Sequence, residues 1–130
     1  MKEKVIDLAC RLVAIPSETV AGNVAVIGYL ADWLTARGFD VERVGYTDAA
    51  GEEKYNLIAK LGNGTGGIGF FSHSDTVPGN PDGWDPFDPV VQDGRLIGRG
   101  SCDMKGALAA TLIAASRTDA DKLKEPVYIV

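Results

Sequence analysis

Ile68-Gly69-Phe70-Phe71-Ser72-His73-Ser74-Asp75-Thr76-Val77-Pro78 decides how this chain is read. A short apolar run gives way at once to a polar segment that holds the only histidine of the 130 residues. The apolar part, Ile68 to Phe71, reads as a buried strand. His73 and Asp75 then fall just past a strand end, where α/β sheets place their ligands. Two residues along an extended chain return to the same side, so Asp75 can point where His73 points. A carboxylate there can hold one ring nitrogen and leave the other free for a metal. The plainer alternative is a solvated turn in which Asp75 makes a local backbone bond.

Downstream, residues 79–89 are rich in proline and glycine and read as a long ordered loop, with Trp84 and Phe87 as local core beneath it. Val90-Val91, Asp93-Gly94 and Leu96-Ile97 then predict a hairpin with a favoured turn dipeptide. Gly98-Arg99-Gly100-Ser101-Cys102-Asp103-Met104-Lys105-Gly106 follows. It leads into a helix starting near 104–106 that carries Leu108, Leu112 and Ala115 on one face and frays at 117–119. Asp103 before that helix reads either as an N-cap or dipole partner, or, with glycines at 98, 100 and 106, as part of a site loop where the backbone bends sharply. His73 and Asp103 would make about half of a zinc site, which takes about four ligands.

Upstream, Val5, Leu8, Ala9, Leu12 and Val13 recur at helical spacing and predict a helix over 2–14, stopped by Pro16. A second helix is expected from Asn23, as N-cap, to a stop at Gly38, with Val26, Ile27, Leu30 and Leu34 inward. Strands are expected over 39–44 and 55–61, with a glycine-rich reversal over 62–67. Val127 to Val130 reads as another buried strand. The fold class is therefore α/β, a mixed central sheet with helices on both faces. Since domain boundaries fall in exposed linkers and this chain stops in an apolar strand, residues 1–130 are expected to be the N-terminal part of a longer protein.

Composition removes several function classes. With 45% hydrophobic residues the chain can build a core, and its net charge of −5 with scattered Lys and Arg argues against a nucleic-acid or anionic-membrane surface. No run reaches the about 18 apolar residues of a membrane span. Met1 to Leu8 does not read as a signal peptide. Cys10 and Cys102 read as free thiols in a reducing compartment. Three other motifs carry less. The glycines at 62, 64, 66 and 67 precede a strand, not the helix N-terminus that would hold phosphate. Ser72, His73 and Asp75 are too close in sequence to form a catalytic triad. Nothing marks Cys102 as an activated nucleophile for a His73 base.

Taken in order, His73-Ser74-Asp75-Thr76-Val77-Pro78, Gly83-Trp84-Asp85-Pro86-Phe87, Asp93-Gly94-Arg95-Leu96-Ile97-Gly98-Arg99-Gly100 and Asp103-Met104-Lys105-Gly106 resemble the zinc aminoacylase family of acetylornithine deacetylase, succinyl-diaminopimelate desuccinylase and glutamate carboxypeptidase. Leu12-Val13-Ala14-Ile15-Pro16-Ser17 and Leu34-Thr35-Ala36-Arg37-Gly38-Phe39 also look like that family's N-terminal part. Several short motifs in register say far more than any one of them.

The resemblance implies that residues 1–130 are the N-terminal portion of a phosphorylase/hydrolase-like catalytic, metal-binding domain. It implies His73 as ligand of one zinc, Asp75 as the catalytic-site residue that orients it, and Asp103 as the carboxylate bridging two zinc ions (cobalt being a possible substitute). The peptide bond after the bridging residue, here Asp103-Met104, is commonly cis in the family. The implied reaction is hydrolysis of the amide of an N-acyl amino acid or short peptide, with a Glu as general base. A cytoplasmic homodimer with no nucleic-acid or membrane partner is implied for the full-length protein. The family's Glu-Glu pair, a later acid, a final His and the lid and dimerisation domain are not among these residues. The expectation is therefore an incomplete site and a piece inactive by itself. The sequence around Cys102 and Asp103 looks slightly closer to acetylornithine deacetylase than to a dipeptidase or carboxypeptidase of the family. A non-catalytic α/β binding domain that keeps the scaffold is the alternative from another class.

Overall fold

The computed structural model describes residues 3–130. The first helix, α1, covers Val5–Val13, and the second, α2, covers Val24–Thr35. Lys2, where the sequence pattern begins the first helix, lies outside the described residues. Leu8, Ala9, Leu12 and Val13 are the buried residues of α1, as their spacing requires. Asn23 does stand at the N-cap of α2, but its side chain does not cap. It pairs with the backbone of Tyr55 instead, donating to the carbonyl at 2.8 Å and accepting from the N–H at 2.8 Å. That pairing pins the start of α2 to the sheet.

Two long strands follow, β1 (Asp40–Thr47) and β2 (Glu53–Leu61), paired antiparallel from Asp40 with Lys60 to Thr47 with Glu53. Both run further than the alternation alone indicates. The Asp48 carboxylate closes the reversal between them by accepting from the N–H groups of Ala50 and Glu52. β3 (Ile68–Phe70) enters from the glycine turn. Gly67 has φ +99°, and a Cβ there would overlap the Pro126 carbonyl, so glycine is required where this turn meets the last connection. The small hairpin β4 (Val90–Gln92) and β5 (Arg95–Ile97) stands apart from the main sheet. α3 covers Gly106–Ser116, and β6 covers Val127–Ile129.

The main sheet has the order β1-β2-β6-β3, antiparallel throughout except for the parallel pair of β3 and β6. It is thus mixed, as expected, and β6 is a central strand. β3 is not buried as the sequence suggests. It is an edge strand in this chain, and Ile68 and Phe70 remain exposed because β6 covers only one of its sides. Trp84 is likewise exposed and not local core, with the Arg99 guanidinium 5.9 Å from its ring.

One core holds the layers together. Leu57, Ala59 and Leu61 of β2 and Ile129 of β6 meet Ile27, Leu30 and Leu34 of α2 and Leu108 and Leu112 of α3. α1 packs on α3. Within these residues the expectation of helices on both faces is met on one face. Leu57, Ala59 and Leu61 on one side of β2 are apolar and buried, whereas Asn56, Ile58 and Lys60 on its opposite side are not buried. No helix of the described residues is long and apolar enough to cross a membrane.

Candidate metal centre

The site is assembled from three segments. The first continues β3. The Val130 N–H donates to the Phe70 carbonyl and the Ser72 N–H to the Val130 carbonyl, so the strand pairing persists until just before His73. The second is the irregular turn Ser101–Lys105 that opens α3, in which Asp103 and Met104 leave helical φ/ψ and the Asp103–Met104 peptide bond is cis. Asp103 therefore does not cap the helix; Lys105 occupies the N-cap position. The third is the segment after α1, where Glu18 forms a parallel bridge with Thr76.

These segments bring His73, Asp75 and Asp103 together. His73 Nδ1 lies 3.0 Å from the Asp75 carbonyl oxygen and 3.2 Å from Asp75 Oδ1. His73 Nε2 lies 2.9 Å from Asp103 Oδ1. Both ring nitrogens thus face oxygen acceptors, and the form these contacts satisfy is the doubly protonated cation. Burial works against that charge, but the hydrogen bonds to Asp103 and the Asp75 carbonyl, with both carboxylate charges, outweigh it and raise the His73 pKa above its usual value. The His73 side chain is 46% exposed and Asp103 is 86% exposed. The ring edge bearing Nε2 and the Asp103 carboxylate therefore open to solvent side by side.

The donor set suits a divalent cation. An imidazole held at Nδ1 offers Nε2, and an exposed carboxylate offers hard oxygen. It also falls short of a closed site, because no group of three or more His, Cys, Asp or Glu residues converges among the described residues. Cys102 is exposed and next to Asp103 in sequence, and it lines the same shallow cavity of about 300 Å³ as His73 and Asp103.

Two features of the support were not legible in the motifs. Lys105 is fully buried, and its ammonium donates to the Ile15 carbonyl at 2.7 Å. Burial lowers its pKa to about 8. Gly100, at φ +82°, lets the two loops touch, since a Cβ there would come within 2.6 Å of Thr76 Cγ2. The glycine spacing hinted at such an approach, but a lysine in a polar motif gives no sign that it will be buried.

The mixed α/β sheet thus brings an imidazole and a carboxylate together just past a strand end. Residues 69–130 match the model of Peptidase family M20/M25/M40. The acetylornithine deacetylases of Proteus mirabilis and Photorhabdus laumondii are 39% and 38% identical to the chain, each match covering 96% of this chain and 34% of the relative. Among solved structures, human carnosine dipeptidase 1 superposes with a TM-score of 0.80 at 27% identity, over 96% of this chain and 30% of that one. Over residues 69–130 the chain is similar to Peptidase family M20/M25/M40, and it spans about a third of the length of the curated relatives it matches.

Proposed function

We propose that residues 1–130 are the N-terminal portion of the catalytic domain of a metal-dependent amidohydrolase, and that His73 and Asp103 are metal ligands with Asp75 orienting His73. One observation carries this reading. The His73 ring is clamped at Nδ1 while Nε2 faces an almost fully exposed carboxylate 2.9 Å away, so a cation bound there would be shared by the two. Zinc, as a pair of ions, suits these donors, and cobalt is a workable substitute. When bound, such a pair supplies Lewis acidity to polarise an amide carbonyl and acidify a water.

The chain's own residues do the rest of the work available here. Asp75 fixes the ring and keeps Nε2 outward. Asp103 offers both oxygens from a turn that no helix cap consumes. The general base and remaining ligands would come from further chain in a longer protein, together with a lid and dimer contact. The substrate class favoured is an N-acyl amino acid, by likeness to the two deacetylases, with a dipeptide as the neighbouring choice by likeness to the dipeptidase. A cytoplasmic homodimer is part of the same reading.

Zinc titration of the 130-residue chain tests the ligand assignment: binding is expected, and His73→Ala should abolish it. Indifference to that substitution would favour a scaffold kept for binding other partners. By itself the chain should release no acetate from an N-acetyl amino acid with zinc added, whereas the longer protein should do so and stop when chelated. Acetate release by the purified short chain would contradict the division of the site.

A further inference from the structure

The segment that leaves α1 runs beneath both loops of the site and is bound by each of them. The Lys105 ammonium reaches over from the Asp103 turn to the Ile15 carbonyl at 2.7 Å. Ser17, almost fully buried, donates its hydroxyl to the Ser74 carbonyl at 2.6 Å, and its own carbonyl accepts from the Thr76 N–H at 2.9 Å. Ser17 thus fixes the residue between His73 and Asp75. The Thr19 N–H donates to the Thr76 carbonyl at 2.8 Å. The Thr19 hydroxyl lies 2.7 Å from Asp75 Oδ2 and 3.0 Å from the Thr76 carbonyl, with the shorter contact to the carboxylate. The far side of Thr19 is anchored in turn, because Lys54 donates to its carbonyl at 2.7 Å while paired with Asp48 at 2.7 Å.

We infer that the strap from Ile15 to Thr19 is a positioning device for His73, and that the Thr19 hydroxyl is the group that orients Asp75 and so decides which ring nitrogen faces outward. The Asp75 carboxylate has two oxygens with separate tasks. Oδ1 faces His73 Nδ1, and Oδ2 is held by Thr19. Without the second contact the carboxylate can rotate about its terminal torsion, which is broad for Asp. Nδ1 would then keep only the Asp75 carbonyl as a firm partner. Lys105 and Ser17 fix the backbone of the two loops, and Thr19 fixes the side chain between them. Thr19 is a positioning residue: its hydroxyl bonds to Asp75 and the Thr76 carbonyl and not to the ring or Asp103. The purpose of the device rests on His73 being a metal ligand, but its geometry does not.

The single histidine makes the test direct. In the metal-free chain with 15N-labelled histidine, at a pH above the His73 pKa, two-bond proton–nitrogen correlation reads the neutral tautomer of one ring only. The wild-type chain should hold its proton on Nδ1. Thr19→Val should shift the population toward the Nε2–H form that free imidazole side chains favour, and Thr19→Ser should restore the wild-type pattern. Zinc affinity should fall about tenfold in Thr19→Val and recover in Thr19→Ser, the size typical of losing a group behind a ligand. Amide spectra of both variants confirm the fold. An unchanged tautomer in folded Thr19→Val, an Nε2–H ring in the wild type, or no recovery with serine would each overturn the inference. A tautomer that responds to Thr19 in a chain whose zinc binding ignores His73→Ala would leave the strap standing and sink the metal reading.

Discussion

Glu3 and Asp103 are both carboxylates held near basic or ring nitrogen partners, yet they sit at opposite extremes. Glu3 accepts from Arg11, Arg37 and the Trp33 indole, each at 2.9 Å, and its side chain is 15% exposed. The Arg37 guanidinium also stacks 3.6 Å over the Trp33 ring. This cluster ties the residue ahead of α1 to the last turn of α2, and it leaves the carboxylate little to offer a ligand. Asp103 has one partner, His73, and is 86% exposed. A saturated carboxylate serves the fold; a carboxylate left open beside a clamped imidazole is available for chemistry. The contrast repeats within two residues of sequence, since Lys105 is buried and bonded while Asp103 is not.

The comparison can be broken by substitution. His73→Ala should have the largest effect, lowering zinc affinity by more than the about 10–100-fold that follows loss of a supporting partner. Asp103→Asn should also weaken zinc binding strongly, yet stay within about 0.5 kcal/mol of wild type in urea unfolding, as befits an exposed side chain. Glu3→Gln should do the reverse. It should cost about 1–2 kcal/mol of stability, because charged hydrogen bonds are lost at a half-shielded position, and leave the zinc isotherm unchanged. If Glu3→Gln weakened zinc binding or Asp103→Asn unfolded the chain, the division between the two carboxylates would be wrong.

Smaller effects should appear with pH, in opposite directions at two groups. His73 has a raised pKa in the fold, so its contribution to stability is fully present below the unfolded value near 6.5 and is lost as pH rises through the folded value. Zinc affinity should rise over that same interval, as the metal no longer competes with the Nε2 proton. Lys105 has its pKa lowered from 10.5 to about 8, so the unfolded chain binds more protons between those values and stability gains a rising component there. Lys105→Met should remove that component from unfolding curves measured from pH 8 to 10. An identical slope in the variant would show that the ammonium is not held as the structure has it.

The sequence made the site legible further than the sheet. His73, Asp75 and Asp103 stand out because glycines and a strand end surround them, with a solvated turn and a helix cap as the plainer alternatives, and the structure brings the three together. The helices were readable from spacing, and the hairpin from Asp93-Gly94. The ends of β1 and β2 were not, since the Asp48 turn that sets them depends on backbone bonds that no alternation reveals. The exposure of β3 was hidden for a similar reason: an apolar run cannot say how many neighbours a strand has. Asn23 was placed at its helix start, but its partner, the backbone of Tyr55, is 32 residues away. Thr19 carried no signal, and Ser17 none beyond its place in the Leu12–Ser17 stretch, because hydroxyl residues after a proline read as an ordinary loop.

We propose above all that His73 offers Nε2 to a metal while Asp75 keeps the proton on Nδ1. Adding zinc to the 15N-histidine chain and following its one imidazole tests this most directly. The Nε2 resonance should shift on saturation while Nδ1 stays protonated. A ring whose two nitrogen resonances ignore zinc, or one that binds through Nδ1, would contradict it.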